Sequence, residues 1–128
     1  MKYYIEKTLN TDFETAVSNV KDALQKEGFG VLSEIDIQEK LKDKLDVDFR
    51  KYKILGACNP SYALIALQTE NKIGTMLPCN VIVQELNDKE TEVAAVDPVA
   101  SLMAIESTAL EPVAIEIKEI LKKVVLSL

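Results

Sequence analysis

Residues 81–86 and 90–96 are two strand-forming runs on either side of Asn87 and Asp88, and they read as an antiparallel hairpin. A hairpin obliges the fold to contain an antiparallel pair, so the segments around it have to fit an antiparallel or mixed sheet. Residues 3–9 alternate as a half-buried strand does, with Tyr3, Ile5 and Lys7 on one face and Tyr4, Glu6 and Thr8 on the other. Residues 29–35 read as a second strand, with Phe29, Val31 and Ile35 on one face and Ser33 interrupting them. Residues 51–57 read as a third, centred on Tyr52, Ile54 and Leu55.

Helical periodicity fills the intervals. Thr11 and Glu14 have capping-box spacing, Phe13, Ala16, Val17, Val20, Ala23 and Leu24 recur at three and four residues, and Gly28 supplies a C-terminal stop. Asp36 caps a short helix carrying Ile37, Leu41 and Leu45. Asn59 followed by Pro60 is a strong start signal for a helix to about Thr69, and its near-continuous apolar content predicts burial on several sides. Asp97 and Pro98 repeat the device for a short helix through Ile105. A long final helix is predicted from Thr108, with Leu110, Val113, Ile117, Ile120, Leu121 and Val124 as its apolar stripe and Lys122 and Lys123 at its C-terminal end. These elements predict an α+β fold, a single sheet with helices mainly on one face, in one domain spanning residues 1–128.

Fifteen basic against twenty-one acidic residues leave a formal charge of -6, with no basic stripe to hold a phosphate backbone, so no nucleic acid partner is expected. Residues 1–10 lack the apolar core of an export signal, and no apolar run approaches the ~20 residues that cross a bilayer. A soluble, cytoplasmic protein is expected, with no membrane partner and both cysteines reduced.

The distinctive chemistry lies in two segments that mirror each other, Cys58-Asn59-Pro60 and Pro78-Cys79-Asn80. Each places a thiol and an amide at a chain turn near a strand end, where binding sites often form. Three uses of the pair compete with inert packing in the core. A disulfide would close a loop of about 22 residues, worth ~3 kcal/mol, against the reducing compartment. A reversible redox pair lacks the close Cys-x-x-Cys spacing. A metal site has no His to draw on, and two Cys would need Asp, Glu, water or a second subunit's pair to satisfy zinc. The lack of His also removes the usual hydrolytic triads, no phosphate-binding glycine loop is present, and no catalytic constellation is recognisable.

The runs Gly28-Phe29-Gly30-Val31-Leu32, Glu34-Ile35-Asp36-Ile37, Tyr52 through Pro60, Leu77-Pro78-Cys79-Asn80-Val81 and Asp97-Pro98 resemble the signature of the domain of unknown function 302 family across essentially the whole chain. The resemblance implies a fold similar to the TATA-box-binding-protein-like architecture, with strand, helix, four strands and a final helix, and it implies a homodimer. The expectation is a binding module in which Cys58, Asn59, Cys79 and Asn80, with Asp36 beside them, recognise a small molecule, a thiol-reactive species or a metal. The alternative is a structural homodimer with both thiols sealed in the core.

Overall fold

The computed structural model describes residues 2–103, 105 and 107–128. The element order is β1 (Tyr4–Leu9), α1 (Phe13–Lys26), β2 (Gly30–Asp36), α2 (Ile37–Leu45), β3 (Tyr52–Cys58), α3 (Pro60–Thr69), a 3-10 turn at Ile73–Met76, β4 (Cys79–Asn87), β5 (Glu90–Val96), α4 (Pro98–Ser101) and α5 (Glu111–Leu126). The five strands form one antiparallel sheet in the order β1-β5-β4-β3-β2. The predicted hairpin is its centre: Asn87 pairs with Glu90, and Asn87 Oδ1 accepts from the Lys89 amide at 2.9 Å to hold the turn.

Helix α1 starts one residue later than the capping box suggests, because Asp12 rather than Thr11 accepts from the Thr15 amide, at 2.7 Å. It stops where glycine allows. Gly28 takes φ +82°, its amide donates to Gln25 O and that of Phe29 to Leu24 O, a Schellman closure that also brings the buried Phe29 and Leu24 together. The core lies between α1, α5 and one face of the sheet. Phe13, Val20 and Leu24 meet Leu55, Val81, Val83 and Val93 of the strands and Leu121, Val124 and Val125 of α5.

Four further sequence expectations need correction. The single face predicted for Val31 and Ile35 is split by a β-bulge between Val31 and Ser33, which turns Ile35 to the side opposite the core, where it is 42% exposed. The predicted start of the last helix at Thr108 moves to Glu111. Leu110 occupies the N-cap without a side-chain hydrogen bond, and Pro112 falls within the first turn, where its missing amide costs nothing. Helix α4 ends at Ser101, and part of its expected extension to Ile105 lies outside the described residues. Helix α3 is not enclosed as its composition suggests: Ala66 is buried, but Leu64, Ile65 and Leu67 are 57%, 45% and 43% exposed.

Candidate functional site

Because the sheet is antiparallel, the end of β3, the start of β4 and the end of β5 lie side by side at one edge. Ala57 pairs with Cys79 across β3 and β4, and Val81 pairs with Ala95 across β4 and β5. A cavity of about 300 Å³ occupies this edge. Cys58, Asn59, Cys79 and Asn80 all border it, so the fold joins the two thiol segments that are 21 positions apart in sequence. Its roof is built from Tyr62 and Ala63 of α3, Leu77 after the 3-10 turn, Leu102 beyond α4, and Val113 and Ile117 of α5.

Strict alternation sends Ala57 and Cys58 to opposite faces of the sheet. Both nevertheless border the cavity, because it wraps the strand ends where the chain leaves β3 for α3. The turn is fixed by Asn59, whose Oδ1 accepts from the Ser61 and Tyr62 amides at 3.1 and 3.4 Å while Pro60 occupies the first turn. The Asn59 amide nitrogen lies close to Gly28, 3.2 Å from where a Cβ there would stand, so a side chain at Gly28 would crowd the residue that caps α3. Asn80 is exposed at the cavity mouth.

The two thiols differ in setting. Cys79 packs against the main core, and burial, with a smaller contribution from the neighbouring Cys58, pushes its thiol up from 9.0 to about 11. At neutral pH it is a neutral group in an apolar wall. Cys58 is half-buried at the strand end and lies outside that core cluster. Among the described residues lining the cavity none is charged. No cluster of three or more His, Cys, Asp or Glu is present among the described residues, so zinc's four protein ligands are not assembled among them.

Asp36 does not join the site. In the β2–β3 register Gly30 opposes Cys58 and Asp36 opposes Lys53, which places Asp36 roughly 20 Å away at the far end of the sheet. There its carboxylate accepts from the Glu39 amide at 3.0 Å, a helix cap.

The chain matches "Domain of unknown function DUF302" over residues 5–128. It belongs to the DUF302 family. The structure is similar to the crystal structure of an uncharacterized conserved DUF302 protein from Bacillus stearothermophilus, with a TM-score of 0.90 and 27% sequence identity, covering 98% of this chain and 97% of that one. No curated protein matches the chain. The order of strand, helix, four strands and final helix is present, with α2, α3 and α4 inserted between them. No helix among the described residues is long and apolar enough to cross a membrane.

Most of the cavity wall of this DUF302 chain escapes a reading by motif. Apart from Tyr62 the roof comes from side chains with no polar signature, and its one sequence signal is excess: α3 carries more apolar positions than one packing face requires. Val113 and Ile117 belong to the same apolar stripe of α5 and border the cavity, Ile117 also packing against the core that Leu121 and Val124 fill.

Proposed function

We propose that this DUF302 protein is a binding module for a small, uncharged, largely apolar molecule held at the sheet edge between Cys58 and Cys79. The observation that supports it is that no charged side chain is found among the described residues lining a cavity of about 300 Å³. Ligand pockets start at about this size, with apolar walls and a few polar groups, here the two thiols, the Asn80 amide and the hydroxyl residues Tyr62, Thr75 and Ser101. An anion would find no cation in the described lining and a divalent cation no carboxylate, and either would lose its hydration without compensation. Neutral organic ligands are therefore favoured over metals.

Thermal unfolding tests this with two probes of similar shape, 2-naphthol, neutral at pH 7, and 2-naphthoate, an anion. At ten times its dissociation constant a bound probe stabilises by about 1.4 kcal/mol, roughly 5 °C for a chain of this size. The naphthol is expected to raise Tm and the naphthoate to leave it unchanged, while Ala63→Phe, which fills the cavity from α3, removes the naphthol effect. Equal shifts from both probes, or a shift that survives Ala63→Phe, would contradict the proposal.

The homodimer reading is supported by α3. A chain of charge -6 repels its own copies. Pro60–Thr69 contains no charged residue and leaves Leu64, Ile65 and Leu67 exposed, so a second copy can approach there without like charges meeting. Light scattering is expected to give a dimer mass that Ile65→Glu converts to monomer with the circular dichroism spectrum unchanged; a dimer mass in the variant would remove α3 as the contact.

A further inference from the structure

We propose that Cys58 and Cys79 act as an exchange dithiol, Cys58 attacking a low-molecular-weight disulfide and Cys79 resolving the mixed disulfide, with the cavity selecting uncharged exchange partners. The register carries the first half. Cys79 sits opposite Ala57, so Cys58 is its diagonal neighbour. Strand spacing and rise place the two Cα atoms about 6 Å apart, inside the 4.4–6.8 Å that a disulfide spans. Alternation would normally turn such diagonal neighbours to opposite faces, but both border the one cavity at the strand ends. Both are free thiols.

Their settings assign the roles. Cys58 ends β3 just before the α3 cap, outside the core cluster, whereas Cys79 packs against it. Burial holds the Cys79 thiol protonated at neutral pH, which keeps it from attacking first. Once Cys58 carries the mixed disulfide, the attack by Cys79 is intramolecular, and proximity offsets its scarce thiolate.

The chemistry balances. The Cys58 thiolate forms an Sγ–S bond with one sulfur of R–S–S–R and expels RS⁻, which takes up a proton. The Cys79 thiolate then attacks Cys58 Sγ, forms the Cys58–Cys79 bond and releases the second R–SH. The protein's two thiols are oxidised, and the small disulfide is reduced to two thiols.

During the mixed-disulfide stage R lies in the cavity, whose described lining carries no charge to meet a charged R, so a charged R is disfavoured. This selectivity rests on the reading of the cavity as a neutral-ligand site; the bridging itself does not.

The test uses the intact reduced protein with bis(2-hydroxyethyl) disulfide, neutral, and 3,3'-dithiodipropionate, a dianion, read by intact mass. Wild type is expected to lose two hydrogens and retain no R–S group. Cys79→Ala is expected to stop with one R–S group on Cys58, and Cys58→Ala to stay unmodified on the same timescale. The neutral disulfide is expected to react at least about tenfold faster than the dianion, after correction for their rates with a free thiol. Wild type carrying two R–S groups, no reaction of the folded protein, or equal reactivity of the two variants would overturn the dithiol. Bridging at equal corrected rates would overturn the selectivity and leave the exchange standing, and a naphthol effect without bridging would leave the cavity reading standing alone.

Discussion

A methyl group at Gly56 would lie 2.2 Å from Ser33 Oγ and 2.8 Å from Pro78 Cγ, so β2 and the entry to β4 close over this residue because it has no side chain. Ser33 can rotate away, but the Pro78 ring cannot, and it immediately precedes Cys79. Gly56→Ala is therefore expected to cost about 1–3 kcal/mol in denaturant unfolding. Restoring wild-type stability by adding Ser33→Ala would show that Pro78 is not the obstacle. Cys79 gives a second expectation. Its folded value, raised from 9.0 to about 11, favours the neutral thiol, so the stability it contributes is full below pH 9 and is lost as pH rises towards 11. Wild type is expected to lose stability over that interval and Cys79→Ala to lose less. Alkylation of Cys79 in the folded protein should follow a midpoint near 11, and a midpoint at the free-thiol value would show that burial does not control it.

Caps and turns were the most legible elements, because their signals are local. Asn59-Pro60, Asp97-Pro98, Asp36 and Gly28 each act where the sequence places them. The bulge in β2 and the exposed side of α3 were not legible, since both depend on what lies across the sheet or above the helix. The cavity was half legible: its polar corner is written in the Cys-Asn repeat, and its roof only in surplus apolar residues. Two element-scale contacts can be tested. Asp97 Oδ1 caps α4 while Oδ2 takes Lys118 Nζ at 3.0 Å, latching α4 to α5 above the cavity. Lys118→Met leaves that carboxylate without its partner among apolar neighbours and is expected to cost about 2 kcal/mol, with Asp97→Asn recovering part of the loss in the double variant. Additive losses would show that the latch contributes nothing. On the opposite flank Glu34 accepts from Lys21 at 2.7 Å and pairs with Lys53 at 2.9 Å, and these lysines lower its carboxyl below 4.5. The stability from this clamp is full above about pH 4.5 and lost as pH falls through the lower folded value. Glu34→Gln should flatten the acid limb of the unfolding profile, and an unchanged limb would assign acid sensitivity elsewhere.

At the scale of the molecule the fold separates two tasks. Helices α1 and α5 seal one face of the sheet into a core, while α3, the 3-10 turn, α4 and the first turns of α5 enclose space at the sheet's edge. A second, smaller cluster of Ala66, Ile73 and Leu110 stiffens that roof. Among the described residues the cavity lining carries no charge, so the site itself discriminates by polarity. The most direct measurement is the amide spectrum of the isotopically labelled reduced protein during titration with 2-naphthol. Saturable shifts at Cys58, Asn59, Cys79 and Asn80, without shifts at Asp36 and without the same pattern from 2-naphthoate, are the result predicted. Shifts confined to the open sheet face around Tyr52 and Ile82, or none that saturate, would contradict a neutral ligand site at the strand ends.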